Sequence, residues 1–90
     1  MNLTDAQFQA IARALGDPHR FAILKQVAEA HGMACSQLHE HDVISPATVS
    51  HHMKELSDAG LVEVKREGRG ANLFLHRAVL DAYLKRLADL

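Results

Sequence analysis

Apolar residues recur along the first third of the chain at intervals of three and four, the spacing of one face of a helix. Phe8, Ile11, Ala12 and Leu15 form the first stripe. Thr4 and Gln7 stand before it at the spacing of a capping box, and Asp5 lies near the positive end of the helix dipole. Gly16 ends it, and Asp17-Pro18 restarts the chain as an N-cap followed by proline in the first helical position. The second helix carries Phe21, Leu24, Val27 and Ala28 and closes at Ala30 or His31, before Gly32. A short third helix is predicted from Cys35 or Ser36 to about His41, with Leu38 inward, followed by a tight connection at Asp42-Val43-Ile44. Ser45-Pro46 repeats the cap signal, and the helix after it runs to about Ala59, ahead of Gly60. At about 100° per residue, Val49, Met53 and Leu56 share one side of that helix. Ala47, His51 and Lys54 point the opposite way, with Thr48, Ser50 and His52 on the flanks.

The period then changes from helical to alternating. Val62 and Val64 alternate with Glu63 and Lys65, and Leu73 and Leu75 with Asn72 and Phe74. Arg66-Glu67-Gly68-Arg69-Gly70 between them supplies the glycines of a hairpin turn. An isolated hairpin is barely stable in water, so this one must pack on the helices. A last helix, from about Arg77 to Ala88, presents Leu80, Tyr83, Leu84 and Leu87. The predicted fold is mainly α with one β-hairpin (α+β), in the order α-α-α-α-β-β-α, as a single domain over residues 1–90.

Composition changes this picture little. The 90 residues are 48% hydrophobic and 23% charged, ordinary values for a globular chain and adequate for one modest core. No apolar run approaches the roughly 18 residues that span a membrane, and no signal peptide is visible. Cys35 is the single cysteine, so no internal disulfide forms, and the cytoplasm is the expected compartment. The formal net charge of -1 gives no global basic signature. It is uneven: residues 1–45 sum to -2, while residues 46–77, with Lys54, Lys65, Arg66, Arg69 and Arg77, sum to +1.

That excess lies where chemistry is expected. A short helix, a tight turn and a second helix with a polar outer face make a helix-turn-helix candidate, whose second helix enters the DNA major groove. Ser45, Pro46, Ala47, Thr48, Ser50, His51, His52 and Lys54 are the candidate contacts on that helix. Small residues permit close approach, and hydroxyls and imidazoles hydrogen-bond to bases or phosphates. Lys54, Lys65, Arg66 and Arg69 suit phosphates. A merely solvated polar face is the alternative reading of the same residues.

Asp17-Pro18-His19-Arg20-Phe21-Ala22-Ile23-Leu24, Ser45-Pro46-Ala47-Thr48-Val49-Ser50-His51-His52-Met53-Lys54-Glu55-Leu56 with Ala59-Gly60-Leu61-Val62, and Arg66-Glu67-Gly68-Arg69 together resemble the ArsR/SmtB-type winged-helix repressors. The match covers about residues 10–76 without gaps. The resemblance implies a winged helix-turn-helix transcriptional regulator, a repressor that binds double-stranded DNA as a homodimer through residues 45–56 and the wing. It also implies a dimer interface built from the first and last helices, here Phe8, Ile11, Leu15, Leu80, Tyr83, Leu84 and Leu87. A two-fold dimer favours a palindromic operator. Packing of the same stripes within one subunit is the other way to cover them.

No effector is read from the sequence. The family's paired-cysteine metal site is represented by Cys35 alone, and the last helix has Asp81 but no histidine. No metal site and no cofactor are therefore expected. A metal- or thiol-responsive variant using Cys35, His39 and His41, with Glu40 nearby, stays open: Cys35 and His39 stand one helical turn apart, and a thiol at a helix N-terminus has a lowered pKa. Enzymatic chemistry is not expected, since no phosphate-cradling glycine motif or nucleophile–base pairing stands out. A winged-helix protein adaptor that does not bind DNA is the rival from another class.

Overall fold

The computed structural model describes residues 1–38 and 45–90. Four α-helices and three strands follow in the order α1 (Asp5–Leu15), α2 (Pro18–Ala30), β1 (Met33–Ala34), a 3-10 turn (Cys35–Gln37), α3 (Pro46–Asp58), β2 (Val62–Glu67), β3 (Gly70–Leu75) and α4 (Arg77–Ala88). The third predicted helix is thus represented by the Cys35–Gln37 turn. Leu38 is extended and buried, as its inward placement required, while residues 39–41 and the connection at 42–44 lie outside the described residues.

Local signals fix most helix ends. Thr4 Oγ1 accepts the Gln7 N–H at 3.1 Å, starting α1. Gln7 does not return the bond; its Nε2 donates to the Ala59 carbonyl at 3.5 Å, tying α1 to the end of α3. Asp17 caps α2 by accepting the N–H groups of His19 and Arg20 at 2.8 and 3.2 Å. These backbone donors, that of Arg20 foremost, hold the Asp17 carboxyl below the usual carboxylate range. Arg20 then reaches back across the corner, donating from Nε to the Ala14 carbonyl (2.9 Å) and from Nη2 to the Arg13 carbonyl (3.0 Å). It adds a second donor to the Arg13 carbonyl, which already accepts the Gly16 N–H at 3.2 Å, and supplies one to the Ala14 carbonyl at the end of α1.

The sheet order is β1-β3-β2, antiparallel throughout. β1 is an addition to the hairpin expected from the sequence. Its two residues pair with Leu73 and Asn72, so the wing is stitched to the segment after α2. The β2–β3 turn is two residues long, between the Glu67–Gly70 pair, and Gly68 takes φ +59°, where a side chain is strained.

The core gathers Ile11, Ile23, Val27, Leu56, Leu61 and Leu73 from α1, α2, α3, the turn before β2, and β3. Phe21 departs from expectation: it is 54% exposed, and Ile23 takes the inward position with Leu24 and Val27. α4 closes over α1. Phe8 and Tyr83 rings meet at 5.0 Å, and the Arg86 guanidinium lies 4.2 Å from the Phe8 ring centroid while pairing with Asp5.

Candidate nucleic-acid interface

α3 is held by one face and presents the other. Ser45 Oγ accepts the Thr48 N–H at 3.2 Å and meets Thr48 Oγ1 at 2.9 Å, and Pro46 occupies the first turn, where a missing N–H costs nothing. Val49, Met53 and Leu56 are buried as expected, which leaves Ser45, Pro46, Ala47, Thr48, Ser50, His51 and Lys54 exposed. The N-terminal half of α3 is therefore a convex surface of small and hydroxyl-bearing side chains at the positive end of the helix dipole.

His52 corrects the sequence expectation. It is only 7% exposed, so it does not belong with the outward residues. Its ring stacks on that of His19 at 6.2 Å, against the start of α2. Val49, His52, Met53 and Leu56 stand at i, i+3, i+4 and i+7, so the spacing itself carried this signal. The His19 partner had none, lying far away in sequence. Burial leaves His52 Nδ1 with no hydrogen-bond partner among the described residues.

The cations differ in how free they are. Lys54 Nζ bonds Asp58 Oδ2 at 2.8 Å, which raises the lysine pKa and partly neutralises it toward a polyanion. Lys65 and Arg66, adjacent on β2, point to opposite faces of the wing. Lys65 lies 5.0 Å over the Phe74 ring, whereas Arg66 shares its face with Val64 and turns toward α3. Arg69 is exposed in the hairpin turn. The three wing cations are therefore spread over two faces and a tip rather than gathered into one patch.

The expected dimer residues also divide. Ile11 and Tyr83 are buried in the subunit's own core, where Tyr83 of α4 packs on Phe8 of α1. Phe8, Leu15 and Leu80 are partly buried against that core. Leu84 and Leu87, at 51% and 39%, remain exposed on α4.

Cys35 is half-buried at the start of a three-residue 3-10 turn, not at the end of an α-helix. Burial pushes its thiol pKa up, with a smaller opposing effect of Arg66, the reverse of the activation expected for a thiol sensor. His39, Glu40 and His41 lie outside the described residues. Among the described residues, no group of three or more His, Cys, Asp or Glu side chains is placed to hold a metal ion. Nor, among them, is any helix long and apolar enough to cross a membrane.

Comparison with known proteins agrees with this geometry. A family model described as a helix-turn-helix domain matches residues 15–65. The chain is 35% identical over 81 residues to the arsenical resistance operon repressor of Staphylococcus aureus, covering 90% of this chain and 77% of that protein. It is 34% identical over 84 residues to the repressor of the same name from Staphylococcus xylosus, with 93% and 79% covered. Among solved structures it resembles an ArsR-like transcriptional regulator from Rhodococcus sp. RHA1, at a TM-score of 0.81 and 26% identity, over 93% of this chain and 78% of that one.

Proposed function

We propose, from the premise that the chain belongs to the ArsR family of winged helix-turn-helix, DNA-binding transcriptional regulators, that α3 and the wing occupy a palindromic operator as part of a homodimer in the cytoplasm. The family is one of regulators, not enzymes. In this reading residues 1–90 act as a single DNA-binding domain. α3 enters the major groove, and Arg66 and Arg69 engage flanking backbone or minor groove, with Lys65 a weaker contributor because it already lies on Phe74.

The observation that carries the reading is the two-sided build of α3. Its inner face is fixed by Val49, His52, Met53 and Leu56, while Ala47, Thr48, Ser50 and His51 stand exposed over its N-terminal half. A helix that reads bases needs such a rigid back and a front of small polar groups. The exposed Leu84 and Leu87 on α4 support pairing of two copies there, with Phe8, Leu15 and Leu80 at its margin. Two copies would set their α3 helices about 34–36 Å apart, one turn of DNA. With a net charge of -1, affinity should be modest, steeply salt-dependent and reliant on two-site engagement.

Selection of bound sequences from a random duplex pool tests this directly. Enrichment of an inverted repeat with half-sites one turn apart is the expected result. A pool that stays random after several rounds removes the operator reading and leaves a protein adaptor in its place.

A further inference from the structure

The inward face of the wing is incompletely covered. On β2 the alternation places Val62, Val64 and Arg66 on the face toward α3. Val62 is buried, yet Val64 is 37% exposed although its cross-strand partner Leu73 is fully buried. The reason is a cleft of about 800 Å³ between α3, the wing and the Cys35–Gln37 turn. Leu38, Val49, Met53 and Leu73 supply its apolar floor, with Val64 beside them. Such a volume is in the range of sites that hold small organic ligands.

The charges at its edge are unequal. Lys54 is satisfied by Asp58 at 2.8 Å. Arg66 makes no hydrogen bond or ion pair among the described residues, and it lines the cleft together with Cys35. An apolar floor next to a guanidinium without a partner among the described residues is complementary to a molecule with an apolar body and a single anionic head.

We propose that this cleft is an effector site for a small amphipathic monoanion, an aromatic or aliphatic carboxylate or sulfonate, whose head pairs with Arg66 and whose body covers Val64 and Met53. The occupant withdraws Arg66 from the DNA backbone and wedges the wing against α3, so its binding opposes operator binding. This consequence rests on the DNA-binding reading above; the site itself does not.

Anilinonaphthalene sulfonate, an apolar fluorophore with one anionic group, is the probe. Titration of the full chain should give saturable fluorescence with one probe per chain. Arg66→Gln should weaken it roughly tenfold through loss of a charge-assisted contact. Val64→Phe, which fills the cleft from an exposed position, should abolish it with an unchanged circular dichroism spectrum. Arg69→Gln, the same charge change in the hairpin turn, should leave probe binding as it was. At saturation the probe should lower affinity for the selected duplex about fivefold or more, the low end of usual coupling between sites. Binding that survives both Arg66→Gln and Val64→Phe, or that never saturates, overturns the site. Duplex affinity indifferent to saturating probe overturns the coupling. A chain that binds no duplex while its probe titration behaves as described would remove the DNA reading and keep the cleft.

Discussion

The corner between α1 and α2 and the face formed by α3 and the wing use the same residue types to opposite ends. At the corner, Asp17 and Arg20 both have protein partners: Asp17 caps α2, and Arg20 bonds the carbonyls of Arg13 and Ala14. On the α3–wing face, Arg66 has none among the described residues, and Ser50 and His51 stand exposed. An arginine that meets two backbone acceptors is a structural clasp, while one left over an open surface is available to an external anion. The type of side chain does not separate these roles; what decides is whether the fold supplies acceptors within reach.

That contrast can be broken most forcefully at Arg20. Arg20→Ala should cost about 1.5–3 kcal/mol of stability, since it removes charge-assisted bonds from a mostly buried position, and should leave the preferred DNA sequence intact. Urea denaturation measures the first and duplex selection the second. Thr48→Val or His51→Ala should do the reverse, shifting discrimination at one or two base pairs by about 1–3 kcal/mol with stability changed by less than about 0.5 kcal/mol. Competition binding with singly substituted duplexes reads this out.

Arg69→Ala should reduce the slope of log affinity against log salt by about 1, uniformly across sequences. A slope equal to the wild type would show that the hairpin turn does not meet phosphate. Asp58→Asn should raise DNA affinity roughly twofold at low salt, because it frees Lys54 and removes a negative charge from α3. Acid titration probes the corner again. The Asp17 carboxyl is lowered in the folded chain, so its contribution is full above about pH 4 and fades as pH falls through the folded value. Asp17→Asn should flatten that acid limb in a thermal-melt series, whereas a limb of unchanged steepness would place the acid sensitivity elsewhere.

Helix starts were legible because their determinants are local. Thr4, Asp17 and Ser45 each bond a backbone N–H within three residues, and proline at the first helical position needs no distant partner. The hairpin was legible too, because alternation over six-residue strands and a glycine-bearing two-residue turn are repeated signals. β1 was not: two residues carry no period, and Met33–Ala34 becomes a strand only because β3 offers an edge. Phe21 and Ile23 exchanged roles since both fit a helical stripe, and only the position of α2 against the rest of the core selects between them.

The candidate site was legible as a segment and less so as a surface. Residues 45–54 follow from cap, spacing and polarity. His52 needed the full i, i+3, i+4, i+7 count to be placed inward, and its stack on His19 depends on α2 crossing behind α3. Ile11 and Tyr83 read equally well as interface or core until α4 was seen to pack on α1.

Where helices begin, which face of α3 is apolar and which segment carries the small polar and basic side chains all follow from local sequence, because capping, periodicity and charge act over a few neighbouring residues. Which arginines are consumed by backbone carbonyls, which leucines of α4 stay exposed, and that Arg66 borders an open apolar cleft emerge only in the folded chain. Those outcomes depend on groups far apart in the chain being brought within bonding distance, and no local pattern encodes that distance.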